Sequence, residues 1–166
     1  MAILHRLPAL AGRSALVALF LSLLGPFAAG AQEIFGEERL AIVSADGSRH
    51  EFTVELALTS SQRAQGLMNR REMAPDRGML FSFGETRQVL MWMKNTYLQL
   101  DMLFIDKTGE IRTIRENAEP LSEAIIDSQV PVAFVVELNG GTVRARGIRP
   151  GDTVESDTIR DAGGKP

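Results

Sequence analysis

Short segments in which apolar and polar residues alternate are the feature that most constrains how this 166-residue chain can fold. The clearest alternation runs from Leu40 to Leu58, on both sides of the turn sequence Ala-Asp-Gly-Ser. A period of two residues is that of a β-strand with one buried face. We therefore expect a hairpin here, with a three-residue loop at 46–48 that sets Ile42 opposite Phe52 on a shared buried face.

The rest of the chain continues as short apolar segments separated by turn residues, without the strand–helix rhythm of βαβ units. Seven or eight such strands predict a mainly β fold (α+β at most). The specific expectation is a small closed or partly open antiparallel β-barrel or rolled sandwich with one or two short helices. The further predicted strands are 78–83, 88–94, 98–106, 110–117, 130–138 and one between 149 and 157.

Two short helices are expected, each from its end residues. Thr59 can cap a helix over the sequence SSQRAQ, since Gln62 stands three residues on, as in a capping box, and Gly66 can end it. A single helical turn is predicted between Thr142, as cap, and Gly147, as stop.

The first 31 residues have the layout of a secretory signal peptide: basic residues, an eleven-residue apolar run at 14–24, and the small residues Ala-Gly-Ala at 29–31. The alternative is an uncleaved membrane anchor, but such a run reaches only about 16 Å as a helix, against a hydrocarbon core of roughly 30 Å. We expect cleavage near Ala31, export to the periplasm or the medium, and membrane contact only through the signal peptide before cleavage.

Beyond the signal peptide, we expect a flexible start at 32–37, one β-rich domain at 38–159 and a disordered tail at 160–166. Removing the signal peptide leaves 16 basic and 21 acidic residues, a formal net charge of −5. Without a basic stripe, no nucleic-acid partner is expected. The chain has no cysteine and therefore no disulfide.

The usual catalytic residue types are scarce. His50 is the one histidine beyond the signal peptide, which excludes a Cys/His zinc site and a nucleophile built with a second histidine. Because His50 lies next to the predicted hairpin turn, we expect it to be exposed. No glycine-rich phosphate loop occurs, and no cofactor is expected.

Asp101 and Glu137 are weak catalytic candidates because each lies in an apolar strand, where a carboxyl group tends to have a raised pKa. Two such groups could in principle hydrolyse a glycoside. The alternative is structural pairing with Arg63, Lys94 or backbone amides, since buried charges are nearly always paired.

All six methionines beyond the signal peptide lie between Met68 and Met102. Thioethers are soft ligands that favour Cu(I), so Met91 and Met93, with Met102 or Met79, are weak candidates for a metal site. The alternative is core packing, because methionine commonly fills irregular cores.

The sequence MWMKNT at 91–96 combines the only tryptophan with amide, hydroxyl and ammonium groups. Such a set could bind an unknown small polar molecule, a glycan or a protein segment, although Asn-Thr can also be only a turn. The leading functional hypothesis is accordingly a non-enzymatic binding module. The residues expected in its cleft are Arg63, Trp92, Lys94, Asn95, Thr96 and Asp101.

Five ordered blocks of this sequence resemble the small, mostly bacterial family called domain of unknown function 192. They are SQRAQGLMNR, RGMLFSF, MWMKNTYLQLDMLFID, VVELNGG and GIRPGD, spread from about Glu38 to Asp157. The resemblance implies a compact β-rich domain, often exported, and no activity. Met91 stands where members more often have phenylalanine, which favours core packing over copper. The family's signature positions fall on Gly66–Met68, Gly78–Met79, Trp92–Thr96, Asp101 and Asp106.

Overall fold

The computed structural model describes residues 33–163. The predicted signal peptide and its cleavage point at Ala31 lie outside the described residues, as do 164–166 of the predicted tail. The elements are β1 (Gly36–Val43), β2 (Arg49–Ala57), α1 (Ser60–Gln65), β3 (Arg77–Met91), β4 (Leu100–Ile105), β5 (Ile111–Ala118), β6 (Ile126–Asn139), α2 (Thr142–Arg146), β7 (Thr153–Glu155) and α3 (Asp157–Ala162).

The seven strands form one curled, half-barrel sheet in the order β5-β4-β6-β3-β2-β1-β7. Its two ends are linked, because Glu110 beside β5 pairs with Thr153 of β7 and the Val154 amide donates to the Gly109 carbonyl over 2.7 Å. Curling in this way protects edges that would otherwise be free to pair with other chains. The predicted mainly β, barrel-like fold is confirmed, with three short helices where one or two were expected.

One strand pair is parallel, contrary to the expectation that no βαβ unit occurs. β2 and β3 run in the same direction, with Leu56 beside Leu80, and α1 lies in the connection between them. The crossover escapes sequence analysis because only six of its residues are helical. The irregular segment 66–76 makes up the rest and carries no helical period.

The β1–β2 hairpin pairs two residues away from its predicted register. Leu40, not Ile42, lies opposite Phe52, and Ile42 lies opposite His50. The three-residue loop is 45–47, closed by a hydrogen bond from the Ser44 amide to the Ser48 carbonyl. Gly47, with a φ of 84°, takes the left-handed position at the end of that loop. The buried face is nevertheless the predicted one, since a shift of two residues conserves it.

The strands predicted at 78–83 and 88–94 are one continuous strand, β3, that ends at Met91. Its pairing with β6 shifts register between Ser82 and Arg87, where Gly84 adopts a φ of 74°. A local irregularity of this kind bends a strand without ending it. Trp92, Met93 and Lys94 therefore belong to a connection and not to the strand.

The end residues of α1 are as predicted: Thr59 and Gln62 form a capping box, and Gly66 follows with a φ of 46°. At α2 the N-cap is Gly141 and not Thr142, although Gly147 ends the helix as expected. Residues 157–162 form α3 where a disordered tail was predicted from Arg160. That helix forms because Ser156 caps it and Ile159 is buried. Among residues 33–163, no helix is long and apolar enough to cross a membrane.

Each face of the sheet has its own apolar core, because the central strands send alternate side chains to opposite faces. The first core includes Leu80, Leu103 and Val136 and also packs α2 and α3. The second core includes Met79 and Val135 and lies on the face of α1 and the 66–76 segment. The candidate functional site opens on this second face.

Candidate functional site

Glu137 is a buried carboxyl group without a partner. It projects from β6 into the second core, beside Met79 of β3 and Met102 of β4. Only 4% of the residue is exposed, and within residues 33–163 its carboxyl makes neither a hydrogen bond nor an ion pair. Burial in this apolar setting raises the pKa of Glu137 to about 8. The carboxyl is therefore mostly protonated at neutral pH.

The Glu137 carboxyl borders a cleft of about 280 Å³, called the Glu137 cleft below. Helix α1, the start of the 66–76 segment, β3 and the turn at 92–96 surround it. Its walls combine polar side chains with apolar ones, and the apolar ones include Met68, Phe81, Phe83 and Trp92. Apolar and aromatic side chains next to a few convergent polar groups are typical of a small-ligand site.

Two arginines, Arg63 of α1 and Arg87 of β3, also line this cleft. Both guanidinium groups stand over the ring of Phe83, at 5.7 Å and 4.9 Å from its centroid. Arg63 Nη1 donates to the carbonyls of Leu58 (2.6 Å) and Ser82 (2.9 Å), which fixes the side chain across α1 and the adjoining strands. The cleft therefore combines fixed positive charge with a buried acid.

The turn at 92–96 contributes only some of the side chains expected of it. Trp92 lines the cleft and remains 45% exposed, whereas Thr96 is buried at its edge. Lys94 Nζ lies 5.3 Å from the centroid of the Trp92 ring. Asn95 adopts a φ of 53° and its carbonyl accepts from the Asn69 amide, so it serves the turn. Neither Lys94 nor Asn95 is part of the cleft lining.

Asp101 lies on the opposite face of the sheet from Glu137, contrary to its expected place in the cleft. It pairs with Leu138 of β6, while Glu137 pairs with Met102, one position on. Its carboxylate accepts hydrogen bonds from the Asn117 amide (2.8 Å) and from the Val143 amide (2.9 Å) at the start of α2. The structure therefore does not bring the two candidate catalytic carboxyls together. Asp101 instead ties β4 to β5 and to α2.

The methionines proposed for Cu(I) all belong to the second core, with Met79, Met93 and Met102 buried in it and Met91 packed against it. Met93 and Met102 are fully buried in the second core, where packing accounts for them. Met91 is half-buried and lines the Glu137 cleft, whereas Met93 lines a different pocket, beside β5 and β6. The expectation that Met91 and Met93 share a side required a strand through Met93, but β3 ends at Met91.

His50 lies outside the cleft and is half-buried where exposure was expected. Its side chain shares a face with Phe52, and its Nε2 atom is buried without a hydrogen-bond partner in the described part of the chain. That part contains no group of three or more His, Asp or Glu side chains placed to hold a metal ion.

Arg87 and Phe83 are cleft residues that the sequence did not indicate. Each is brought to Glu137 by the parallel crossover and by the bend in β3, neither of which has a sequence period. The sequence does show Glu137 in an apolar strand and Trp92 near polar residues, and it is these two that the fold places in one cleft.

A family model described as DUF192, uncharacterized ACR, matches residues 41–156. A solved structure from Sinorhizobium meliloti 1021, described as a "putative transcription regulator", is 63% identical. The match has a TM-score of 0.73 and covers 75% of this chain and 96% of that one. A protein of unknown function from Novosphingobium aromaticivorans DSM 12444 is 36% identical, with a TM-score of 0.70, and the match covers 72% of this chain and 85% of that one. No curated protein matches this chain.

Proposed function

This chain belongs to the DUF192 family, which comes with no activity, and we propose from its own cleft that the protein is an exported, non-enzymatic module. In this proposal the protein binds a small ligand in the Glu137 cleft. The observation that carries this proposal is the Glu137 carboxyl, buried at the cleft without a partner.

A carboxyl group that is almost wholly buried and has no protein partner is unusual in a folded protein. Asp101 is a structural carboxylate in the same fold, and it accepts hydrogen bonds from two backbone amides. Glu137 has no such partners among residues 33–163, and it faces a cleft open to solvent. A ligand that binds the carboxyl would supply the missing interaction.

The arrangement favours binding over catalysis. A carboxylate-dependent hydrolase needs two carboxyl groups on one substrate, and Asp101 and Glu137 project from opposite faces of the sheet. Within the described residues, Glu137 is the only acid that lines the cleft. The fixed Arg63 and the aromatic side chains of the cleft can position a ligand but do not supply a second acid or base.

The cleft suits a small molecule, or a single side chain of a protein segment, better than a long polymer, given its volume of about 280 Å³. The acidic balance of the chain gives no support to a nucleic-acid partner. We therefore do not extend the description of the Sinorhizobium meliloti protein as a transcription regulator to this chain.

Export is proposed from the layout of residues 1–31. Expression of the full chain in a bacterial host, followed by fractionation and mass spectrometry, tests it. We expect the exported protein to begin at Gln32. A protein retained in the cytoplasm with residues 1–31 intact would contradict this part of the proposal.

Binding is tested by a thermal-shift screen of the purified protein against sugars, peptidoglycan fragments, short peptides, amino acids and organic acids. Ligand at about a hundred times its dissociation constant adds roughly 2.7 kcal/mol of stability, which raises the midpoint measurably. We expect Trp92→Ala and Glu137→Gln to abolish the shift.

Tyr97→Ala is the matched control, because Tyr97 is 42% exposed, close to the 45% of Trp92, and does not line the cleft. A shift retained in Trp92→Ala and Glu137→Gln would place the ligand elsewhere. Equal loss in Tyr97→Ala would show a general effect of destabilisation. The first result contradicts the cleft as the binding site, and the second removes the two cleft variants as evidence for it.

A further inference from the structure

The charges of the Glu137 cleft lie on two different groups that do not pair with each other. Glu137 is the buried acid, and Arg63 is the guanidinium at the cleft, yet the two make no ion pair. Resting on the binding function proposed above, we propose a ligand class: a small zwitterion with an apolar body, its ammonium bound by Glu137 and its acidic group by Arg63.

Arg63 has donors to spare for an acidic group. Its Nη1 atom donates to two backbone carbonyls, while Nε and Nη2 donate to none of residues 33–163. Within that range it has no acidic partner, whereas Arg87 lies 3.6 Å from a Glu85 carboxylate oxygen. A guanidinium whose position is already fixed loses little further entropy when it binds a carboxylate.

Glu137 offers an acceptor that suits an ammonium group. A carboxylate in a dry, apolar site is costly unless a cation lies against it. The residues beside Glu137 on the neighbouring strands are uncharged: Met79 of β3 and Met102 of β4. Thr96 and Leu67, which line the same cleft, are uncharged as well. The charged groups lining the cleft, Arg63 and Arg87, form no ion pair with it. An ammonium from a ligand would be the missing counter-charge.

The walls and the volume indicate the body that joins these two charged groups. Phe81, Phe83, Trp92 and Met68 present aromatic and thioether surfaces, which favour an apolar or aromatic body. A volume of about 280 Å³ is just below the roughly 300–1,000 Å³ of ligand pockets. A ligand of the size of one amino acid therefore fits better than an oligomer.

This arrangement requires a proton to leave when the ligand binds near neutral pH. Because burial raises the pKa of Glu137 to about 8, the free protein carries a mostly neutral carboxyl at pH 7. An ammonium ligand keeps its own protons and favours the carboxylate, so the carboxyl proton passes to the buffer. Up to one proton is released for each ligand bound.

Two zwitterions of different charge spacing serve as probes, each with counterparts that lack one charge. L-phenylalanine is compared with 2-phenylethylamine and 3-phenylpropanoate, and 4-(aminomethyl)benzoate with 4-methylbenzylamine and 4-methylbenzoate. Calorimetry at pH 7 in phosphate and in Tris measures the affinity and, from the difference in heat between buffers, the protons released. We expect at least one zwitterion to bind tenfold or more tightly than both of its counterparts, with proton release.

Variants assign each charge to its residue. Glu137→Gln should abolish proton release and the preference over the acid-only counterpart, and Arg63→Gln should abolish the preference over the amine-only counterpart. Arg71→Gln is the control, since Arg71 also stands over an aromatic ring, that of Tyr97 at 4.5 Å, but does not line the cleft. The comparison among ligands on the unmodified protein decides the matter even where a variant fails to fold.

A counterpart with one charge that binds as tightly as its zwitterion would overturn the proposed ligand class while leaving the cleft a binding site. Binding of a zwitterion without proton release, or unaltered in Glu137→Gln, would also overturn it. Failure of all six probes would overturn the ligand class alone, because the proposed binding function is decided by the wider screen and by Trp92→Ala.

Discussion

At the scale of single residues, Asp101 and Glu137 show how one pair of neighbouring strands gives two buried acids different surroundings. Both are at most 4% exposed, and they lie one position apart in the β4–β6 register. Asp101 meets the amides of Asn117 and Val143 on one face, whereas Glu137 meets methionines on the other. The difference between the structural carboxylate of Asp101 and the carboxyl proposed to bind a ligand therefore comes from the face and not from the residue type.

The raised pKa of Glu137 predicts how the stability of the protein depends on pH. The pKa of Glu137 is raised from 4.5 to about 8 by burial, so between these values the native state binds a proton that the unfolded state lacks. The free energy of unfolding therefore falls as pH rises through this window. Between pH 5 and pH 8.5, the free energy of unfolding of the unmodified protein should fall by a few kcal/mol relative to that of the Glu137→Gln variant.

Urea unfolding of both proteins at half-unit steps of pH measures this difference and cancels the contributions of other carboxyls. A difference that stays constant across the window would show that Glu137 is ionised normally in the folded protein.

At the scale of elements, the β2–α1–β3 crossover and the bend of β3 build the cleft. The crossover places α1, with Arg63, over the face that carries Glu137, and the bend at residues 83–87 brings Phe83 and Arg87 to the same place. The α1 helix and its caps are evident in the sequence because capping is local. Its parallel crossover is not, because strand direction depends on the pairing of distant segments.

The link between the two ends of the sheet depends on a close backbone approach at Gly109. A Cβ atom there would lie 2.7 Å from the Val154 carbonyl oxygen, and the φ of Gly109 is +92°. Gly109→Ala should therefore lower the free energy of unfolding by about 2–4 kcal/mol, from strain at positive φ together with a steric clash that separates β7 from the turn before β5. Thermal or urea unfolding measures the loss.

Gly84→Ala is the matched control. Gly84 also has a positive φ, +74°, but no atom lies within 4 Å of where its Cβ would be. It should cost only about 1 kcal/mol, the penalty of an L-residue in this region. Equal losses in the two variants would show that the close approach at Gly109 contributes nothing to stability.

At the scale of the whole molecule, the first and second cores are two sides of the same three strands. β3, β4 and β6 contribute alternate residues to each core, so neither core can be lost while the other remains packed. We therefore expect residues 33–163 to unfold in one cooperative transition. The fluorescence of Trp92, on the second face, and the far-UV circular dichroism of the sheet should give the same midpoint.

Val135 and Val136 provide a matched pair for this test, since both are fully buried and they point into opposite cores. Each change to alanine should cost roughly 2 kcal/mol and lower both midpoints together. If Val136→Ala shifted only the circular dichroism midpoint, the two cores would unfold independently.

The sequence by itself determined the strand segments, the α1 caps, the scarcity of catalytic residue types and the family, because each depends on local pattern or on ordered motifs. Only the tertiary structure decided which face each central residue takes. β4 is buried at every position, so no exposed alternate residue marks a face in the sequence. The separation of Asp101 from Glu137, and the meeting of Glu137 with Arg63 and Trp92, follow from register and crossover, which distant segments fix together.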